Sequence, residues 1–300
     1  MLAEAPGAVV FLVRFGELAL KSRYVRRQLQ DRLVANLLER FAAEGRECLV
    51  SADFGRIYVH ADDAATAASI IARTFGIVSF SPAAEAPSDL PGLCAAVAAY
   101  AEPLLSAGMS FAIRPRRSGT HPYKSQDLGR EAGSAVWTAI PGLRVDLEKP
   151  DREISVEVRE NKAYLFHETM PGPGGMPLGT QGRAVAVVER ERDVASAWLI
   201  MRRGARTTIA VLGDESLAQP LQRWDVRLKV QHIGGLGELP EVVRAARAQA
   251  VALPWELGRV GDREALRKVC GDAVPFFPLV GLAEEEIVAL LLSIRSVGAQ

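Results

Sequence analysis

Pro171-Gly172-Pro173-Gly174-Gly175-Met176-Pro177-Leu178-Gly179 is the sharpest break in the sequence. It is too rich in glycine and proline for helix or strand, and it reads as a connection between domains. Beyond it, short apolar runs at residues 184–188, 207–211, 250–253 and 276–279 alternate with helical stretches. That alternation is the pattern of a parallel α/β sheet.

Ahead of the break the order is different. Residues 9–15 form a short apolar strand pattern, and 21–41 an amphipathic helix with Leu29, Leu33, Leu37 and Phe41 at four-residue spacing along one face. Residues 47–51 and 56–60 read as strands about a turn at Asp53-Phe54-Gly55, 64–75 as a helix and 77–80 as a last strand. The sequence β-α-β-β-α-β is that of a ferredoxin-like half-domain. Residues 82–91, with three prolines, read as a linker, followed by an alanine-rich helix at 93–105 and a strand at 109–114. A helix at 124–139 is predicted to bury a stripe of Glu131, Ala135 and Trp137, and a hairpin at 154–158 and 162–169 turns about Glu160-Asn161. The fold class is therefore α+β in the first half and α/β with a parallel sheet in the second.

Composition narrows the function classes. Hydrophobic residues are 49% and charged residues 24% of 300, the balance of a folded protein. Lys plus Arg equals Asp plus Glu, 36 against 36, so any nucleic-acid face has to arise from local clustering. No apolar stretch reaches the roughly 20 residues of a bilayer crossing, and residues 1–6 lack the pattern of a secretory signal. Cys48, Cys94 and Cys270 are odd in number and far apart, which fits a reducing cytoplasm and neither a disulfide framework nor a zinc site. His60, His121, His167 and His232 show no metal-ligand spacing, and Gly234-Gly235-Leu236-Gly237 reads as a turn.

Positive charge gathers in two places. In the first helix Lys21, Arg23, Arg26, Arg27 and Arg32 stand against Asp31. Arg114, Arg116, Arg117, Lys124 and Arg130 stand against Asp127 and surround Ser118-Gly119-Thr120-His121-Pro122-Tyr123. Phosphates call for cationic forks and backbone N–H groups, and unpaired bases call for stacking surfaces; this loop promises both.

These residues carry a resemblance. Arg14-Phe15-Gly16-Glu17 with Lys21-Ser22, the run from Arg117 through His121 and Lys124 to Gln126, and Gly172 to Gly179 resemble the tRNA 4-thiouridine synthase family, ThiI. Val145-Asp146-Leu147, Pro150-Asp151 and residues 156–168 are similar to its THUMP domain, with weaker likeness at 198–204 and 278–282. The resemblance implies a ferredoxin-like domain at residues 1–80, a THUMP domain at 81–170, a linker at 171–182 and a truncated PP-loop domain at 183–300. In that family the first two domains hold the tRNA acceptor end, the PP-loop domain activates a uridine with ATP and Mg, and a cysteine persulfide supplies sulfur. The implied RNA-binding set is Lys21, Arg114, Arg116, Arg117, Ser118, Gly119, Thr120, His121, Lys124 and Arg130.

The chain departs from the family at the nucleotide loop. Where SGGxDS belongs stand Val188, Glu189, Arg190, Glu191, Arg192 and Asp193, long side chains in place of the glycines that let backbone N–H groups approach phosphate. The family's Thr-Gly-Glu aligns with Leu253-Pro254-Trp255, although Leu257-Gly258-Arg259-Val260 still fits, and its Asp-Lys aligns with Ala283-Glu284. The sequence ends before the stretch where many members carry the relay cysteine, and Cys270 reads as a buried apolar residue. The expectation is a cytoplasmic tRNA-binding protein with no catalytic residues, no metal and no bound cofactor. It would present the acceptor end to a separate activating or sulfur-donor enzyme, with a homodimer plausible by resemblance. The alternatives are an active ATP-dependent sulfurtransferase with a rearranged loop and a protein-binding scaffold. A methyltransferase or deaminase that shares only the THUMP module is a further possibility.

Overall fold

A computed structural model describes residues 9–16, 22–53, 55–255 and 263–297. Glu17, Lys21, Phe54 and the 257–260 motif lie outside the described residues. The chain divides into two compact units, Met1–Leu12 with Tyr58–Ala64 and Ser81–Met170, and Val13–Ile57 with Ala65–Phe80 and Pro171–Gln300.

In chain order the first elements are β1 (Val9–Phe15), α1 (Arg23–Ala43), β2 (Leu49–Asp53), β3 (Arg56–Ala61), α2 (Ala64–Ala72) and β4 (Ile77–Pro87). Then come α3 (Leu90–Ala101), β5 (Ser110–Ser118), α4 (Ser125–Ala139), β6 (Arg144–Val145), β7 (Arg152–Arg159), β8 (Lys162–Phe166) and β9 (Met170–Pro171). In the first unit β4 pairs antiparallel with β8 and β8 with β7, while β5 lies parallel to both β7 and β6. α3 and α4 cover one face of this sheet, packing Leu93, Val97, Leu128, Ala132 and Val136 onto Phe111, Ile113, Ile154, Val156 and Val158. Val10 and Leu12 join Tyr58, Tyr164 and Phe166 in a smaller cluster, with the two tyrosine rings stacked at 5.0 Å.

Two expectations change here. Residues 82–91 are not a linker: β4 runs on to Pro87, and Ala84 to Pro87 pair with Leu165 to Lys162. Proline lacks one ladder donor but keeps its carbonyl and extended φ, so a strand passes through it where that donor is not needed. The buried stripe of α4 is Leu128, Ala132 and Val136, not Glu131, Ala135 and Trp137. Glu131 and Trp137 are exposed.

The second unit carries the parallel sheet, β10 (Arg183–Val188), β11 (Arg206–Val211), β12 (Lys229–His232), β13 (Ala250–Ala252) and β14 (Val274–Phe276), in the order β12-β11-β10-β13-β14. Every pairing in it is parallel. β12 escaped the sequence reading because Lys229-Val230-Gln231-His232 offers one apolar residue, as an edge strand can. α5 (Asp193–Arg202), α6 (Gln219–Gln222) and α9 (Glu284–Ser296) supply the core on one face. α7 (Leu239–Ala246) and α8 (Arg263–Cys270) supply it on the other.

α1 and α2 belong to this second unit. Arg40, buried on α1, donates through Nη1 to the Trp224 carbonyl at 2.8 Å and through Nη2 to that of Arg223. Burial, with Arg73 adding to it, pushes its guanidinium down to about 10. Phe75 stacks on Trp224 at 5.2 Å and tilts against Trp198 at 5.4 Å. The glycine-proline run is bonded into the same unit: the Gly76 N–H donates to Gly174, Gly174 to Ile77 and Met176 to Arg202. A Cβ at Gly175, whose φ is +74°, would lie 2.1 Å from the Arg202 carbonyl oxygen, so only glycine allows that approach.

Candidate nucleic-acid interface

β6 pairs with Ser110 and Phe111, and among the described residues no strand pairs with β5 on that side from Ala112 onward, which leaves an open edge beside α4. A groove of about 970 Å³ lies along it. One wall is a stripe of α4, Gln126, Gly129, Arg130, Gly133, Ser134 and Trp137, residues that share a face by helical spacing. Gly129 lies so close to Pro115 that a Cβ would meet its ring at 3.2 Å, whereas a Cβ at Gly133 meets nothing within 4 Å. The other wall carries Arg114, Arg116, Val145 and Leu147. Trp137, Val145 and Leu147 are exposed by 58%, 58% and 63%. The Asp146 carboxylate, held below the usual range by the N–H groups of Lys149 and Glu148, fixes the turn that presents Leu147. Asp151 closes the same loop by accepting from Ser110 N at 2.7 Å and Oγ at 2.8 Å.

The basic residues read as one cluster in sequence separate in space. Alternation along β5 puts Arg114 and Arg116 on one face and Arg117 on the other, with Phe111 and Ile113. Arg114 is tied to Glu153 at 2.8 Å through Nε and to the Leu147 carbonyl at 2.8 Å through Nη2. Arg117 donates to the Gly119 carbonyl at 3.1 Å and holds its own turn. Arg130 sits near Glu131 and Asp127 at 3.2 and 3.7 Å. Arg116 and Lys124 are exposed and have no ion-pair partner among the described residues. These two cations are open to a phosphate.

Ser118, Gly119 and Thr120 form an exposed turn, with Gly119 at φ +91° against Glu160. His121 Nε2 lies 2.6 Å from the Glu160 carbonyl, so this imidazole joins the turn to the β7–β8 hairpin. The Tyr123 ring is in the core and its hydroxyl donates to Ser88 O, so the aromatic face expected of this loop is absent from the surface. Trp137 supplies one instead. The sequence pattern predicts it inward; the signal for the exposed position is the Gly129, Gly133, Trp137 spacing, which leaves a bare helical face with one large ring at its end.

Glu189, Arg190, Glu191, Arg192 and Asp193 turn from β10 into α5. The Asp193 side chain is fully buried, and Oδ2 accepts from the backbone N–H of Glu189 at 3.1 Å and of Arg190 at 2.9 Å. Burial raises its carboxyl above the usual value, against the pull of those two N–H groups. Arg190 lies 3.8 Å from Asp193, Glu191 pairs with Arg295 at 2.6 Å and Arg192 with Glu284 at 3.3 Å. Burial pushes the Cys48 and Cys270 thiols up to about 11 each and raises Cys94 as well, the opposite of an activated thiolate. Among the described residues no His, Cys, Asp and Glu group could hold a metal ion, and no helix is long and apolar enough to cross a membrane.

Residues 10–81 match the ThiI ferredoxin-like domain and residues 87–168 the THUMP domain. Through these two domains the chain belongs to the ThiI family. It is 40% identical over 220 residues to the probable tRNA sulfurtransferase of Methanosarcina acetivorans, covering 71% of this chain and 53% of that one. To the tRNA sulfurtransferase of Pyrobaculum aerophilum it is 36% identical over 205 residues, covering 67% and 41%. The chain thus spans about half the length of these ThiI-family relatives. Its fold is similar to the crystal structure of PH1313 from Pyrococcus horikoshii Ot3, with a TM-score of 0.81, 25% identity and coverage of 94% and 98%. It is also similar to a 4-thiouridine synthetase–RNA complex with bound ATP, with a TM-score of 0.76, 19% identity and coverage of 97% and 86%.

Proposed function

We propose that this ThiI-family chain binds the acceptor end of tRNA in the α4–β5 groove and leaves activation of the RNA to a partner in tRNA thiolation. The observation that carries the reading is that Arg116 and exposed Trp137 line one groove beside an open strand edge in a THUMP domain. A cation for phosphate, a flat ring for a base and unpaired edge groups for hydrogen bonds are what a single-stranded RNA end requires.

The turn after β10 supports the second half of the reading. ATP in such a fold needs free backbone N–H groups at the helix start. Here Asp193 occupies those of Glu189 and Arg190 and brings a carboxylate to the place of a phosphate. The residues do not fit a polyphosphate. The protein would then act by holding tRNA, with ATP, Mg and the sulfur donor belonging to a separate enzyme or to an intact relative.

The test is binding of full-length and acceptor-truncated tRNA across salt, with labelled ATP in parallel. Tight, end-dependent binding without ATP retention is expected; indifference to the acceptor end or stable retention of ATP overturns the reading. The curated relatives named tRNA sulfurtransferase favour a second one, an ATP-dependent sulfurtransferase with a rearranged loop. It requires ATP hydrolysis that depends on tRNA and disappears in Arg190→Ala/Arg192→Ala.

A further inference from the structure

The second unit has a concentration of charge that the groove does not explain. A cavity of about 470 Å³ opens at the N-terminal ends of β10, β11 and β12, lined among others by Arg32, Arg183, Arg206, Thr208, Arg227 and Lys229. Its volume falls in the roughly 300–1,000 Å³ range of ligand sites. The sheet register explains why these groups converge. Arg183 pairs with Arg206 and Thr208 with Lys229, so all four share the face of Val185 and Val187. α7 covers that face further along, but it ends in Ala245 and Ala246, whose small side chains leave the strand starts open.

The pairing is unfavourable as it stands, because like charges directly opposite each other on neighbouring strands repel. Glu39 offsets part of it, 3.1 Å from Arg227, 3.9 Å from Arg32 and 4.0 Å from Arg206, and Asp225 takes Arg206 at 2.9 Å. Five cations therefore meet two carboxylates. Neither Arg183 nor Lys229 has an ion-pair partner among the described residues, and both are exposed. A local conflict of this kind marks a candidate functional site, and an anion drawn in by the local field would relieve it.

We propose that this cavity binds successive phosphates of a polynucleotide strand. Adjacent strands lie about 4.8 Å apart, so cations on three of them form a row about 10 Å long, enough for more than one phosphate. Among the described residues no aromatic side chain lines the cavity. That argues for a backbone contact and against a mononucleotide whose base needs a platform. The nature of the polymer rests on the RNA-binding reading above; the site itself does not.

The test uses Arg183→Ala/Lys229→Ala in the full chain, with Arg116→Ala/Lys124→Ala and Arg190→Ala alongside. Fluorescence anisotropy with labelled tRNA is followed across salt, and calorimetry measures inorganic tripolyphosphate. Losing two single-strand phosphate contacts flattens the slope of log affinity against log salt by about 1.4 and weakens binding roughly 25-fold at 0.1 M salt. That result in the cavity variant, with Arg190→Ala unchanged, is expected. Unchanged tRNA binding in Arg183→Ala/Lys229→Ala, while the groove variant is weakened, overturns the cavity proposal and leaves the groove reading standing. The reverse pattern removes the groove and keeps the cavity. If native protein binds no tRNA but binds tripolyphosphate through these residues, the ligand is a soluble polyanion and the polynucleotide claim falls. Binding of neither removes the site.

Discussion

The Trp137 indole keeps 58% of its surface in water, a large apolar area to leave uncovered on a folded surface. A stacked base would cover it, and base–aromatic stacking contributes about 1–3 kcal/mol per base. Trp137→Ala is expected to weaken tRNA binding by about 5- to 150-fold. The thermal midpoint should hardly move, since the side chain packs little; equal affinity in a filter-binding assay would discard the stacking role. Asp193 gives a different kind of prediction. Its folded-state carboxyl is raised by burial, so the folded chain binds that proton more tightly than the unfolded chain does. The group's contribution to stability is full below the unfolded value and is lost as pH rises through the folded one. Asp193→Asn should therefore gain on the native chain as pH rises above the ordinary aspartate value of about 4 in urea unfolding; a difference that is constant across pH would show that this carboxylate is not strained. Neither role was legible in the sequence. Spacing alone puts Trp137 in a buried stripe, and Asp193 is an ordinary helix-start residue until its bonds to Glu189 and Arg190 are seen.

At the scale of an element, α4 combines two demands: Leu128, Ala132 and Val136 bury its core stripe, while Gly129 and Gly133 hollow the opposite flank. Glycine in a helix interior costs about 1 kcal/mol relative to a good helix former. Gly133→Leu, with room for its Cβ, should raise the stability of the protein by about 1 kcal/mol and at the same time obstruct tRNA. Calorimetry with tRNA titrations separates the two effects, and undiminished binding would mean that the groove is not the RNA path. The elements themselves were largely readable, because Leu29, Leu33, Leu37 and Phe41 repeat with the helical period, β10 is a nearly pure apolar run and β11 is β-branched from Thr207 to Ile209. What failed followed from neighbours. β4 continues through its prolines because β8 lies beside it, and β12 is a strand because β11 offers it a ladder.

For the whole molecule, a balance of 36 cations against 36 anions hides strongly uneven local fields. tRNA affinity should fall steeply with salt, and Arg116→Ala/Lys124→Ala should flatten the slope by about 1.4 if each contacts one phosphate of a single-stranded end. An unaltered slope would show that these cations face only water. The cluster could be counted in the sequence, but not sorted. Strand alternation sends Arg117 to the far side of β5, and Glu153 neutralises Arg114 from a strand 39 residues later.

The glycine-proline run, so plain a boundary on paper, does not separate the pieces that hold one another up. The unit built from Pro171–Gln300 also takes in Val13–Ile57 and Ala65–Phe80. Cutting the gene at that run would leave residues 1–170 with an intact first unit trailing two helices that have lost their floor. Residues 171–300 would be left with Trp224 stripped of Phe75 and Arg40. Such halves are complementary fragments rather than independent proteins. Co-expressed, they should reassemble, which makes this break a natural seam for a split reporter.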